Sequence, residues 1–457
     1  MAVWSEIAIS RSLFDRRLDP EFYQSKYLEN EKRLNEKNSM SLIALGSDVR
    51  CGPFGSAIMV DDYCHEGIPF IRVADTSDIF LKTDNLIFLK KEKAKSLTRY
   101  EVEPGDIVVS QRGTLAQFAI VPSDHKKWII SANLISLKVP KNLEPYYLIA
   151  FLNSEIGISQ LERLQSGQVQ PKIITDDIKH LLIYLPSPDF RQQVSTTIEK
   201  SKERQDEAKA LLAQAEGLLL SELCLGNLDL SPSLFYERPL SETQQIARID
   251  AEFFQPKYYR LRERLNACSF RNVELNNLIA PIKNGYDYRE FGEEGLPYIR
   301  VGDISNGRLD IENAKRVNIK WEDIKKDIRL KKGDVLLTRK GSYGNAAYVR
   351  EGQTDCVISS EIMLLRILDS SLLPEYLTVY LNSPIGFQQV ERFVHGDAFY
   401  SISQPSLASV RVIMATRQIQ EKIAALVRKA DTSRDESRRL LAEAKRMVEE
   451  AVLARDQ

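Results

Sequence analysis

The sequence predicts an α+β protein in which one unit is written twice. Two tandem, pseudo-symmetric heads are expected, separated by an antiparallel coiled coil of two long helices. Three observations predict this. First, Gly67-Ile68-Pro69-Phe70-Ile71-Arg72-Val73-Ala74-Asp75-Thr76-Ser77-Asp78 returns as Gly295-Leu296-Pro297-Tyr298-Ile299-Arg300-Val301-Gly302-Asp303-Ile304-Ser305-Asn306, with seven of twelve positions identical. The spacing of 228 residues, from Gly67 to Gly295, is half of a 457-residue chain, too long for a solenoid and suited to a duplicated domain. Second, other stretches return in the same order. Arg17-Leu18-Asp19-Pro20-Glu21-Phe22 reappears as Arg248-Ile249-Asp250-Ala251-Glu252-Phe253. Gly105-Asp106-Ile107 reappears as Gly333-Asp334-Val335, and Leu152-Asn153-Ser154 with Gly157 as Leu381-Asn382-Ser383 with Gly386. Third, each copy ends in a long proline-free stretch with apolar residues at alternating spacings of four and three. The boundaries that follow are 1–187 for the first head, 188–225 for the first long helix, 226–416 for the second head and 417–457 for the second long helix.

Taken in order, Arg17–Glu36 is expected to be one helix, with Asp19 as N-cap and Pro20 at its first position. Cys51-Gly52-Pro53-Phe54-Gly55-Ser56 is a turn-rich loop, matched by Ile282-Lys283-Asn284-Gly285-Tyr286. Gly67-Ile68-Pro69 opens a strand to Val73, on which Arg72 faces away from the apolar side. The lysine- and arginine-rich stretches Lys90–Arg99 and Lys315–Lys332 read as solvated helix. Gly105-Asp106 turns into the buried strand Ile107–Val109, beyond which lie Gln111-Arg112-Gly113-Thr114 and, in the second copy, Arg339-Lys340-Gly341-Ser342-Tyr343-Gly344. Strands are expected at Phe118–Val121, Trp128–Ile130 and Leu134–Val139, and helices at Pro145–Leu152 and Ile158–Leu164. The half closes with Ile178–Leu185.

Phe190–Leu225 reads as one helix with a seam of Val194, Ile198, Ser201, Gln205, Ala208, Leu212, Ala215 and Leu219. The C-terminal counterpart has Ile419, Ile423, Leu426, Ala430, Ser433, Ser437, Leu440, Ala444, Met447 and Ala451. Both seams weaken to polar residues at mid-length. Such stripes pack on each other more readily than on lipid or on a globular core. A helix of this length spans about 50 Å.

Composition narrows the class. Charged residues make up 28% of the chain but the net charge is −1, which favours no polyanion overall and leaves room for local basic faces. The five cysteines form no CxxC pair, so neither a disulfide framework nor a zinc site is expected. Cys51, Cys64 and His65 lack a fourth ligand. Trp4, Glu6 and Arg11 interrupt what a signal peptide would keep apolar. With no membrane-length apolar run either, a cytoplasmic protein is expected.

Long polar side chains beside glycines at a strand end suit close approach to a phosphate or a base edge, with a plain hairpin turn as the bland alternative. The candidate contact residues are Arg72, Gln111, Arg112 and Thr114 in the first head, with Gln168 and Lys172 further out. In the second head they are Arg300, Arg339, Lys340, Ser342 and Tyr343. Arg72 and Arg300 are the same residue in both copies. Heads that read different sequences must differ where they touch bases, so these two arginines suit phosphate contact or pairing with Asp75 and Asp303. Gln111/Arg339 and Leu115/Tyr343 differ between the copies and are better placed to set specificity.

The ordered repetition of G-[IL]-P-[FY]-I-R-V-x-D, then G-D-[IV], then a long helix, resembles the DNA-specificity subunit of type I restriction–modification enzymes. The approach to the first helix, Pro186-Ser187-Pro188 with Gln192 and Gln193, is similar to the proline-then-glutamine pattern of that family. The second copy keeps Gln418 and Gln420 but lacks the prolines. The resemblance implies two target-recognition domains on double-stranded DNA, each reading one half of a bipartite site. The helices would set the spacer and, by their exposed positions, dock two methyltransferase subunits, onto which motor–nuclease subunits assemble. It implies S-adenosylmethionine in the partner methyltransferase, ATP and Mg in the motor–nuclease subunit, and no cofactor or catalysis in this chain. Consistent with that, the sequence has no Asn-Pro-Pro or Asp-Pro-Pro tripeptide and no Walker A loop. Two other readings stay open: the specificity subunit of a methylase–nuclease assembly that cuts beside its site, and a non-DNA scaffold with sugar- or peptide-binding heads on a coiled coil.

Overall fold

The computed structural model describes residues 6–8, 10, 17–76, 79–83, 86–111, 117–165, 172–226, 228–395 and 400–454. The chain divides into two units, Met1–Asp206 with Ser433–Gln457, and Glu207–Thr432.

In the first unit a four-stranded antiparallel sheet runs Val49–Cys51, Leu134–Leu137, Ile107–Ser110, Phe118–Ile120. A five-stranded sheet runs Tyr63–Cys64, Ile87–Leu89, Ile68–Ile71, Trp128–Ile130, Glu101–Val102, with one parallel pair. The second unit repeats this plan. Its four-stranded sheet runs Lys283–Asn284, Ile362–Leu365, Val335–Thr338, Ala346–Tyr348. Its three-stranded sheet runs Lys315–Val317, Leu296–Ile299, Val357–Ile358. Register repeats residue for residue. The parallel pair Phe70↔Ile129 becomes Tyr298↔Val357, and the antiparallel pair Leu134↔Ser110 becomes Ile362↔Thr338, every partner moved by 228 residues.

The repeated motifs are the joints of this frame. A Cβ on Gly67 would stand 2.2 Å from the Leu89 carbonyl oxygen, and one on Gly295 2.2 Å from that of Val317. Only glycine lets the strand start so close to its neighbour. The Leu-Asn-Ser-x-x-Gly motif does three jobs. Asn153 receives the Phe118 amide (3.1 Å) and donates to the Phe118 carbonyl (3.0 Å), as Asn382 does with Ala346 (2.8 and 2.9 Å). Ser154 and Ser383 cap the helices Glu155–Leu164 and Pro384–Phe393 by accepting from Gly157 and Gly386. Those glycines sit where a Cβ would meet the carbonyls of Phe151 (2.4 Å) and Tyr380 (2.2 Å).

Several elements differ from expectation. Arg17–Glu36 is not one helix. A 3-10 turn, Pro20–Tyr23, precedes an α-helix, Ser25–Glu36. Asp19 stands at the N-cap, but its carboxylate is taken by the Arg17 guanidinium in two bonds of 2.7 Å. The second copy breaks alike at Gln255, where Pro256 disfavours helical backbone in the residue before it. The solvated helix is short in the first copy, Lys91–Lys95, and no α-helix forms within Lys315–Lys332. There Lys315–Val317 is drawn into the sheet against Leu296–Tyr298, as Ile87–Leu89 is drawn against Ile68–Phe70. The first half closes with a helical turn, Thr175–Lys179, before the strand Leu182–Tyr184.

The two long helices span Pro188–Glu222 and Arg417–Leu453. In the first unit Val194 and Ile198 share a core with Ala444, Val448 and Val452. In the second, Ala208 and Leu211 meet Ala430, and Leu219 and Leu223 share a core with Ile419 and Ile423. Numbers rise along one helix as they fall along the other, so within each unit the pairing is antiparallel. The expected seam drifts in both helices: in the first, Leu211 is buried where Leu212 was expected and Gln205 is only half-buried. Val427, Val448 and Val452 are fully buried where Leu426, Met447 and Ala451 were expected. A straight α-helix turns about 20° per heptad relative to a 3.5-residue repeat. The helix ends also pack against head residues, which rewards a broader apolar face than a coiled-coil seam.

The polar middle is satisfied internally. The buried Ser201 hydroxyl lies 2.8 Å from the Ser437 carbonyl and 2.9 Å from its hydroxyl. Replacing Ser201 alone by alanine should cost on the order of 1 kcal/mol by stranding the Ser437 hydroxyl, whereas the double alanine variant should return close to wild type. Urea denaturation of the single and double variants checks this; equal losses in both would contradict it.

Candidate nucleic-acid interface

In both units the residue that leaves a strand of the four-stranded sheet is clasped by two later segments. In the first unit the Gln111 amide donates to Asn133 (2.7 Å) and its carbonyl accepts from Ile173 (3.1 Å). In the second the Arg339 amide donates to Glu361 (2.9 Å) and its carbonyl accepts from Ile402 (3.0 Å). Gln111 and Arg339 are therefore held by equivalent backbone bonds while their side chains differ.

In the first unit Gln111 and Lys172 line one open cleft of about 1070 Å³. Arg50, Arg99 and Phe54 line it too, and none of the three stands out by sequence pattern. Phe54 is 87% exposed, an aromatic ring offered to solvent at the tip of the Gly52 turn. Gly52 is required there, since a Cβ would come within 2.0 Å of the Ser131 carbonyl oxygen. The one available signal is that both copies place an aromatic residue just after this glycine, Phe54 and Tyr286. Arg50 pairs with Asp48, leaving the rim of mixed charge. Arg112, Thr114, Leu115 and Gln168 lie outside the described residues.

In the second unit the loop is built on aromatic stacking. The Tyr343 ring lies parallel to Phe387 (5.8 Å, 8°) and edge-on to Tyr400 (6.2 Å, 67°). Tyr400 is 56% exposed. Gly341 and Gly344 have φ of +70° and +83°, the left-handed backbone that closes the turn. Ser342 is exposed, and its carbonyl accepts from the Thr338 hydroxyl (2.7 Å) and the Asn345 amide group (3.0 Å). Lys340 stands 3.8 Å from Glu361. The Arg339 Nε is buried with no hydrogen-bond partner, a polar donor held ready for one. Arg339, Lys340, Ser342 and Tyr343 lie along this one loop, and a later segment brings Tyr400 against Tyr343.

Arg72 and Arg300 are each engaged by an aspartate of their own motif. The Arg72 guanidinium bonds Asp75 at 2.9 and 3.1 Å, and Arg300 meets Asp303 at 3.4 Å. Each aspartate also receives the backbone amide of its arginine at 2.8 Å. Of the two roles open to this repeated arginine, the geometry provides the internal pair. Burial raises the Asp303 carboxyl above its ordinary value, opposed by the amide and guanidinium of Arg300.

Among the described residues no group of three His, Cys, Asp or Glu could hold a metal ion, and no helix is long and apolar enough to cross a membrane. One frame repeated with unlike side chains at the equivalent positions Gln111 and Arg339 defines a duplicated α+β protein. Comparison with known proteins agrees. The family model described as type I restriction modification DNA specificity domain matches residues 57–209 and 273–446, and the chain belongs to that family. The type I restriction enzyme EcoBI specificity subunit of Escherichia coli is 26% identical over 342 residues, 70% of this chain and 64% of that protein. The chain therefore aligns with less than two thirds of that relative's length. Among solved structures, the S subunit of a type I restriction–modification system from M. genitalium covers 93% of this chain and 98% of its own, at 15% identity and a TM-score of 0.40. The HsdS subunit from Thermoanaerobacter tengcongensis covers 92% and 94%, at 17% identity and a TM-score of 0.28.

Proposed function

We propose that this chain is the DNA-specificity subunit of a type I restriction–modification complex, without catalytic activity of its own. Each unit reads one half of a split target on double-stranded DNA. The paired long helices fix the gap between the half-sites, and their exposed faces dock two methyltransferase subunits. Those subunits hold S-adenosylmethionine and methylate an extruded adenine; motor–nuclease subunits using ATP and Mg join the same core.

The observation that carries this reading is a frame repeated in register with unlike side chains at the equivalent loop positions Gln111 and Arg339. Identical scaffolds with different tips suit two different short words. Glutamine matches adenine and arginine matches guanine in the major groove, each good bidentate contact being worth about 1–3 kcal/mol. One head alone discriminates too few base pairs, and two on a fixed spacer add their discrimination. The site residues proposed for contact are Gln111, Arg112, Thr114, Gln168 and Lys172 in the first unit and Arg339, Lys340, Ser342 and Tyr343 in the second. Arg72 and Arg300 serve by holding the strand exits.

Modification mapping in a host carrying this chain with its methyltransferase partner tests the proposal. The expected result is a motif in two parts separated by an unspecified gap. Arg339→Gln should relax or change one part only, by about 1–3 kcal/mol at one position. A continuous motif, or a variant altered in both parts, would contradict the division of labour.

A further inference from the structure

In the second unit three guanidiniums gather round one tyrosine. Arg238, Arg392 and Arg262 lie 3.5, 4.9 and 5.5 Å from the centroid of the Tyr259 ring. Among the described residues none of the three has a carboxylate at ion-pair distance. Two acids lie nearby, neither at ion-pair distance from these guanidiniums. Glu242 accepts from the Tyr259 hydroxyl (2.7 Å), and Glu391 is held by Lys257 (2.6 Å) and Tyr258 (2.9 Å). The Arg238 Nε is buried without a hydrogen-bond partner.

Among its described residues the first unit has the same frame without the charge cluster. Arg163, the counterpart of Arg392, stacks on Phe22 at 4.1 Å as Arg392 stacks on Phe253 at 4.4 Å. Its Nε donates to the Phe22 carbonyl (3.0 Å), as that of Arg392 does to Phe253 (3.3 Å). Arg163, however, is neutralised by Glu31 at 3.1 Å. In the repeat, Arg262 stands where the first copy has Glu31, and Tyr259 where it has Leu28. An acid has become a base, and an aliphatic side chain has become a flat platform. Burial pushes the Arg392 guanidinium below its ordinary value, and Arg262 adds to the effect. Arginine nonetheless keeps its proton, so the like charges remain. Three positive charges against the one bordering carboxylate of Glu242 leave a net attraction for a further anion.

The cluster borders the recognition loop. Arg392 lies on Pro384–Phe393, the helix whose Phe387 carries the stacked Tyr343 ring. Tyr258, beneath Arg392, is close enough to Tyr343 for the two phenols to influence each other. We propose that Arg238, Arg262 and Arg392 form a seat for phosphodiester oxygens of the DNA backbone beside the second unit's recognition loop, with no equivalent among the described residues of the first unit. A guanidinium lying over a ring keeps its N–H edge free to fork onto two oxygens. The seat rests on the reading of the chain as a DNA-specificity subunit. It makes the heads unequal: the second supplies more of the salt-dependent affinity that is blind to sequence.

The test is binding of the full chain to a mixed-sequence DNA duplex as NaCl is raised. Each lost phosphate contact lowers the magnitude of the slope of log K against log[salt] by about 0.9, so Arg238→Gln with Arg262→Gln should lower it by about 1.8. The double Lys variant should keep the wild-type slope. Arg392 is left alone because it packs on Phe253 and Tyr258. Arg262 is exposed, so Arg262→Gln alone, expected to lower the slope by about 0.9, guards against a folding defect in the double variant. A wild-type slope in the Gln variants overturns the seat and leaves the DNA reading standing. So does a wild-type slope with weakened methyltransferase binding, which would assign the arginines to an acidic partner. A wild-type chain that binds no duplex removes the DNA reading and the seat together.

Discussion

Removing one heptad from each long helix, Glu199–Gln205 and Ser433–Arg439, is expected to shorten the unspecified gap of the methylated target by about three base pairs. Seven residues span about 10.5 Å at 1.5 Å each, and base pairs stack at about 3.4 Å. These segments are chosen for their pairing. Both partners of the Ser201–Ser437 contact are removed together, so no hydroxyl is orphaned. Whole heptads keep Val194 and Ile198 facing Ala444 and Val448 and keep Ala208 facing Ala430. The bond from the Tyr348 hydroxyl to Asp431 (2.5 Å) and the pair Arg428–Glu375 (2.7 Å) lie outside the deletion. Three base pairs also turn the duplex by about a third of a turn, so binding should weaken even at the matched gap. Methylome sequencing reads the outcome. An unchanged gap would end the spacer proposal while leaving the heads' reading of DNA intact.

Asp334→Ala should destabilise the second unit by about 3–5 kcal/mol, while the equivalent Asp106→Ala costs the first about 1 kcal/mol. Both aspartates follow a glycine with φ of +88° and accept a backbone amide three residues back, at 2.7 Å from Lys331 and 2.9 Å from Glu103. They differ in what faces them. Asp334 has a side chain only 3% exposed and takes two bonds from Arg366, at 2.9 and 2.8 Å. Removing it leaves a guanidinium partly buried without its acid. The residue facing Asp106 from the same place is Lys138, which turns instead to Glu103 at 3.2 Å. Burial accordingly raises the Asp106 carboxyl above its ordinary value, since no ion pair outweighs it. Urea denaturation followed by limited proteolysis of Glu207–Thr432 separates the two. Similar costs for the two substitutions would show that the ion pair contributes little. Asp334 opens the strand that carries Arg339, so the first effect should also blur one half of the methylated motif.

Much of the frame was legible because its joints are local and written twice. Leu-Asn-Ser-x-x-Gly, Gly-Asp and Gly-x-Pro each encode a cap, a turn or a close approach within a few residues. The repeat shows which positions the frame cannot change. What stayed hidden depends on distant partners. Lys315–Val317 looks helical by composition and becomes a strand only because Leu296–Tyr298 offers an edge. Val448 displaces Met447 from the core because head residues press on that face of the helix. Phe54 and Tyr400 are single aromatics in loops, where no period marks them. Arg238, Tyr259 and Arg392 are scattered through the second half of the chain, and the substitution of Arg262 for Glu31 gains meaning only once Arg392 is seen above it. Of the candidate residues, Gln111 and Arg339 at strand ends and Lys172 on a returning segment could be picked out from sequence, whereas Phe54 and Tyr400 could not.

The second unit is one continuous run, Glu207–Thr432, whereas the first is completed by Ser433–Gln457. Synthesis on the ribosome therefore finishes the units in reverse. The portion translated first must wait for the last: until Ala444 and Val448 emerge, Val194 and Ile198 have no helix to cover them. The nascent chain thus carries an unfinished, sticky N-terminal half through most of its translation, while the later unit can close as soon as Thr432 clears the exit tunnel.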